Sequence, residues 1–271
     1  MESAMNSPLV STEWRYALLG ELEAPSASRV FSSDDLVNLV RHVRPRATER
    51  TIRLAVSGLV QAGALTKVSQ SIYLNRRCRP TAELAEAAQR IRRGAVVSLE
   101  SVLGECGFLN NTPAIVTAIV PKTSDYVPNV GPVKTSGGQV FRFSALPPQF
   151  FPWTKSESRL MLQAGRHCPM AKPEVAVLHW LRLAQSPRSP LRIPPQDVDF
   201  SVLDMDLLKE LAWRWELSMA FESWMRAVEK LGDVQEPTER GPLASSEKQA
   251  SLQRGQAAKT RLLARRNPTT A

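Results

Sequence analysis

Two amphipathic stripes, separated by a proline and closed by a glycine, constrain this chain more than any other feature in it. In "FSSDDLVNLV" Ser32 is placed to cap a helix whose third residue, Asp35, reaches back in a capping box, with Phe31 and Leu36 as the hydrophobic staple. Leu36, Leu39, Val40 and Val43 then recur at i, i+3, i+4 and i+7, the spacing of a buried helical face, and Pro45 closes the element. Ile52, Val56, Leu59 and Val60 make a second inward stripe that Gly63 ends. "ALTKVSQSIYLN" follows, with β-prone runs at Leu65 to Val68 and Ile72 to Leu74 joined by a polar Ser-Gln-Ser turn.

Helix, turn, helix and small hairpin is the order of a winged helix-turn-helix. With Ile52, Val56 and Leu59 turned to the core, Arg46, Arg50, Arg53, Ser57 and Gln61 fall at spacings of four, three, four and four and share the opposite face. In helix-turn-helix proteins the second helix enters the major groove, where arginine bonds guanine at O6 and N7 and glutamine reads adenine. Arg50 and Arg53 are the expected base readers. Gln70 in the hairpin turn, Lys67, and the cluster Arg76, Arg77 and Arg79 are expected near phosphates, which supply affinity without sequence information. Charge supports a polyanion partner: residues 29 to 93 hold 13 Lys and Arg against 5 Asp and Glu, a balance of +8 in a chain of net charge +9. The alternative is an amphipathic helix whose outer face is merely solvated.

Beyond residue 93 the pattern changes. "RPTAELAEAAQRIRRGAVVSLESVLGECGFLNN" reads as a short charged helix, then a second helix packed through Val97, Leu99, Val102 and Leu103 and stopping between Gly104 and Gly107. "TPAIVTAIVP" is a buried strand by its β-branched content, and two further strands flank the turn Ser136-Gly137-Gly138. Phe141 and Phe143 alternate with Arg142, so that strand has one core face and one wet face. "MAKPEVAVLHWLRLA" is a helix with apolar surface on more than one side. From Leu203 to Leu231 two stripes run together, Leu208, Leu211, Trp215 and Met219 beside Trp213, Leu217, Phe221, Trp224, Val228 and Leu231. So wide a band implies a bend near Glu216 or two neighbours. The expected fold class is α+β: a winged-helix domain over residues 1–93, an α/β domain with a small antiparallel sheet and a helical end over 94–231, and a disordered basic tail over 232–271.

Nothing in the sequence nominates a catalytic site. His42, His167 and His179 stand at no metal spacing, and there is no C-x-x-C, H-E-x-x-H or G-x-S-x-G, so no enzyme and no cofactor are expected. His179 reads as a packed core or rim histidine. Cys78, Cys106 and Cys168 are too scattered for a disulfide framework. No apolar run of bilayer length and no secretory leader are present, and a cytoplasmic protein without a membrane partner is expected.

The segments "VQAGALTKVSQSIYLN", "AVVSLESVLGECGFLNNTPAIVTAIVP", "VFRFSALPPQFF" and "MAKPEVAVLHWL", in that order over roughly residues 30 to 225, resemble the AbiEi-type antitoxins of type IV toxin-antitoxin (abortive infection) systems. The resemblance implies an N-terminal winged helix that represses its own operon, a C-terminal domain associated with antitoxicity, and a nucleotidyltransferase as the cognate toxin. Two departures stand out. Gln70-Ser71-Ile72-Tyr73 lacks the glycine of the family's Arg-Gly-x-Tyr wing, and Val175 and His179 occupy places where many members carry Glu-Lys-Ala and a downstream Asp. The function expected is therefore an autorepressing antitoxin that binds its own double-stranded operator. The alternatives are an antitoxin that neutralises its toxin by direct contact through the Trp213 to Leu231 surface, and a transcription regulator without a toxin partner.

Overall fold

The structure, a computed structural model, describes residues 10–110, 114–187, 189, 191–192 and 198–234. Of the tail expected over 232–271, only residues 232–234 lie within them, at the end of a helix.

Helix α1, Val10–Glu23, leads into strand β1, Val30–Ser32, and helices α2, Ser33–Val43, and α3, Glu49–Gln61. The expected capping box opens α2: Ser32 Oγ accepts from Asp35 N at 3.1 Å and Asp35 Oδ2 accepts from Ser32 N at 2.8 Å. These bonds, with Arg90 nearby, hold the Asp35 carboxyl below its ordinary value against the opposing effect of burial. Strands β2, Leu65–Lys67, and β3, Ile72–Asn75, form the hairpin in the register Leu65↔Asn75, Thr66↔Leu74, Lys67↔Tyr73. Gly63 takes the left-handed φ of +70° just past α3, which turns the chain into β2 where a side chain would be strained. β1 also pairs with β3, so the sheet has three antiparallel strands in the order β1-β3-β2. Three residues with one alternation were too short to announce β1 in the sequence.

One apolar cluster holds these elements together: Leu18 and Leu22 of α1, Phe31, Leu36 and Val40, Ile52 and Leu59 of α3, and Leu65 and Tyr73 of the hairpin. Each fully buried leucine contributes roughly 1.5–3 kcal/mol. Val56 and Val60, expected inward, pack against the cluster while staying half-buried. Asn75, wholly buried, ties the sheet to α1 by donating through Nδ2 to Leu22 O at 2.8 Å and Ser28 O at 3.1 Å.

The remaining described elements are 3₁₀ turns at Leu84–Ala87, Pro148–Phe150 and Phe200–Val202, α4 (Ala88–Ile91), β4 (Val96–Val97), α5 (Glu100–Glu105), β5 (Ile115–Pro121), β6 (Val133–Lys134), β7 (Val140–Leu146), α6 (Lys155–Met161), α7 (Pro173–Ala184), α8 (Met205–Arg214) and α9 (Ser218–Val234). The described fold is α+β, and residues up to Trp224 form one compact unit. Two expectations are corrected. Val97 belongs to a strand paired with Ala118 and not to a helix. The second sheet, ordered β4-β5-β7-β6, is mixed and not antiparallel, because β7 runs parallel to β5 from Ile115↔Val140 to Pro121↔Leu146. Alternation told which face of β7 is buried, and Phe141 and Phe143 are buried with Arg142 exposed, but it carries no information on a neighbour's direction. The stretch Leu203 to Leu231 is two helices, broken where Glu216 adopts a φ of +57°, which accounts for its double stripe. In α7 every residue from Glu174 to Leu181 is buried, so its apolar surface does face more than one neighbour.

Candidate nucleic-acid interface

Helix α3 begins later than its basic periodicity suggests. Thr48 is the N-cap, its hydroxyl accepting from Thr51 N at 3.3 Å, and Glu49 in the first turn is neutralised by Arg41 at 2.8 Å. Arg46 therefore lies in the turn between α2 and α3 and not on the helix itself. Pro45 and the cap at Thr48 explain this, since the residues between them cannot continue either helix.

Along α3, Ile52 and Leu59 are buried while Arg50, Arg53, Ser57 and Gln61 are exposed, as the spacing required. None of these four, nor Arg46, makes a side-chain hydrogen bond or ion pair among the described residues. Two further residues complete the face. Leu54, 63% exposed, stands four residues after Arg50 and three before Ser57, in the middle of the row. Gly58 beside it has nothing within 4 Å of where a Cβ would sit, so no internal packing requires a glycine there. Sequence reasoning passed over both. Leu54 belongs to no inward stripe, which was the one signal available for it.

The hairpin lies next to this face. Gln70 is exposed in the turn, closed by Ile72 O accepting from Val68 N at 2.8 Å and from Ser69 N at 3.3 Å. Lys67 is half-buried and lines, with Arg53 and Ser57, a cavity of about 310 Å³ floored by Leu36, Ile52 and Val56. The outer edge of β2 is met by the second sheet's hairpin, where the Ser136 hydroxyl donates to Lys67 O. One carbonyl of this edge strand is thereby satisfied.

Arg76 and Arg77 are placed differently from Lys67 and Gln70. They follow β3 at the end of the hairpin remote from its turn, where Arg76 N donates to Ala64 O at 2.9 Å. Arg76 Nε donates to Thr66 Oγ1 at 2.9 Å and its Nη1 to Ala82 O at 2.7 Å. Arg77 Nε donates to Glu23 Oε1 at 2.7 Å. Both guanidiniums are thus engaged inside the chain, and both line a crevice away from the turn. Arg29 is more firmly held: it pairs with the buried Glu86 at 2.7 Å, an interaction that raises its pKa above the ordinary value.

The histidine expectation stands. His179 is wholly buried, with Ser98 Oγ 2.8 Å from Nδ1 and Phe150 O 3.0 Å from Nε2, and burial lowers its pKa to about 4. Among the described residues no group of three or more His, Cys, Asp or Glu is placed to hold a metal, and no helix is long and apolar enough to cross a membrane. All three cysteines are free thiols.

No protein-family model matches the chain, and no curated protein does either. Among solved structures, the RV2827C protein from Mycobacterium tuberculosis is similar over 74% of this chain and 71% of its own, with 14% identity and a TM-score of 0.45. That likeness is too distant to carry an argument about fold or function.

Proposed function

We propose that residues 30–75 are a winged helix-turn-helix that binds double-stranded operator DNA, and that the chain is the autorepressing antitoxin of a type IV system, acting in the cytoplasm without catalysis. The observation that carries the reading is the outer face of α3. Arg50, Arg53, Ser57 and Gln61 are all exposed, all without a side-chain partner among the described residues, and set beside a hairpin in the segment of +8 charge. Two arginines and a glutamine on one exposed face of the second helix are side chains of the kind that read a major groove. In this reading Arg50 and Arg53 contact base edges, Ser57 and Gln61 extend the row, and Arg46, Lys67 and Gln70 lie toward the flanking phosphates. The cognate nucleotidyltransferase toxin is implied by the resemblance to AbiEi-type antitoxins and needs no physical contact with this chain.

The test is fluorescence anisotropy on the chain's own upstream DNA and on a scrambled duplex at two salt concentrations. Each base-reading arginine contributes about 1–3 kcal/mol of specificity, so Arg50→Ala/Arg53→Ala should bring the two duplexes close to equal affinity. Equal binding of both duplexes by the unaltered protein would reduce the +8 segment to a non-specific polyanion patch.

A second reading, neutralisation by direct contact, draws on Trp213 and Met219, which are 78% and 74% exposed. Trp224, the other aromatic considered for that role, is buried against Phe108, Phe200 and Phe221 and offers no surface to a partner. Co-purification of the toxin with the unaltered chain and not with Trp213→Ala would favour this second reading.

A further inference from the structure

Arg76, Arg77 and Arg79, expected near phosphates, line a crevice of about 980 Å³ between the end of α1, the residues after β3 and the loop carrying His167. Arg29, Arg76, Arg77, Arg79 and His167 line it against a single carboxylate, Glu23. Arg29 is neutralised by Glu86, but the guanidinium of Arg79 has no hydrogen-bond or ion-pair partner among the described residues. Among the described residues the Arg77 guanidinium is held only by Glu23, in an exposed pair that costs little to exchange. A neighbouring cavity of about 530 Å³ shares Arg29 and His167 with the crevice.

We propose that this crevice binds a phosphorylated small ligand of nucleotide size. Its phosphates take Arg79 and displace Glu23 from Arg77, while Arg76, fixed by Thr66 and Ala82, presents its remaining N–H groups from a rigid position. The volume exceeds what a lone phosphate fills and lies in the range of small-molecule sites. Ala24, Pro25, Ala27 and Pro80 give part of the wall an apolar character suited to a ring. The crevice sits at the far end of β3 from the hairpin turn, so the proposal does not depend on α3 reading DNA.

Calorimetric titration of the full chain with ADP and with inorganic phosphate, in the absence of DNA, tests this. ADP should bind saturably and more tightly than phosphate. Arg79→Ala should weaken it about tenfold, the usual worth of one hydrogen bond to a charged group. Glu23→Gln should strengthen it by removing the competing carboxylate, and Arg50→Ala/Arg53→Ala should leave it unchanged. Absence of saturable binding, equal affinities for ADP and phosphate, or indifference to both Arg79→Ala and Glu23→Gln would overturn the proposal. So would displacement of ADP by duplex DNA together with an equal loss of duplex affinity in Arg79→Ala, because the crevice would then belong to the DNA footprint. Thermal melting of each variant separates loss of binding from loss of fold.

Discussion

Between pH 7 and pH 5, acidification should destabilise this chain chiefly through His179. Its ring is 1% exposed, and its pKa is lowered from 6.5 to about 4 by burial, which outweighs the hydrogen bond to Phe150 O. A histidine whose folded pKa is depressed contributes stability that is fully present above the unfolded value and is lost as pH falls toward the folded one. The window is thus pH 6.5 down to about 4. The displacement from 6.5 to about 4 corresponds to about 3 kcal/mol, and about 2 kcal/mol of it should be lost between pH 7 and pH 5. The neutral ring can donate from Nε2 to Phe150 O and accept at Nδ1 from Ser98 Oγ, while Trp215 stacks on it at 5.6 Å. Protonation would turn Nδ1 into a donor facing a hydroxyl that must then reverse its own bond. Urea denaturation at pH 7, 6 and 5 of the unaltered chain and of His179→Gln measures the contribution. Glutamine can keep a donor and an acceptor without titrating, so the variant is less stable at pH 7 but loses that much less between pH 7 and 5. Parallel pH profiles for the two proteins would refute the assignment.

Two other substitutions separate fold from interface. Gly58→Ala should raise stability by roughly 1 kcal/mol through helix propensity, because an added Cβ meets nothing within 4 Å, yet it should weaken operator binding by standing between α3 and the groove. Denaturation and anisotropy on the same sample check both, and undiminished affinity would remove Gly58 from the interface. Arg76→Ala should lower stability by about 1–2 kcal/mol, since it releases Thr66 Oγ1 and Ala82 O, and should leave the salt dependence of DNA binding unchanged. A salt slope reduced by one would instead return Arg76 to the phosphates.

Helices α2 and α3 and the hairpin were legible because each is specified by residues close in sequence. Ser32 and Asp35 are three apart, the stripe of α2 repeats within eleven residues, and Gly63 marks its turn by its own conformation. What depends on distant partners was not legible. β1 exists because Val30, Phe31 and Ser32 meet Leu74, Tyr73 and Ile72, some forty residues on, and the parallel pairing of β5 with β7 is set by how the chain between them returns. Trp224 shows the same limit: its stripe said that it would be apolar-facing, but not that Phe108 and Phe200 would cover it.

The candidate interface divides along the same line. Helical spacing alone put Arg50, Arg53, Ser57 and Gln61 on one outer face, since burial of Ile52 and Leu59 leaves them no other. Which cations remain available to a ligand is a different question, because it depends on who else in the chain claims them. Arg77 is claimed by Glu23, 54 residues earlier, and Arg76 by Thr66 and the carbonyl of Ala82. A count of basic residues would rank Arg76 and Arg77 beside Arg50 and Arg53. Their partners separate the two pairs: the arginines of α3 have none among the described residues and face outward on a regular element, whereas those after β3 help build the walls of a crevice. On the two proposals above, the +8 segment would be two surfaces with different occupants. Titrating Arg50→Ala/Arg53→Ala and Arg79→Ala against duplex and ADP in parallel should divide the losses cleanly between them.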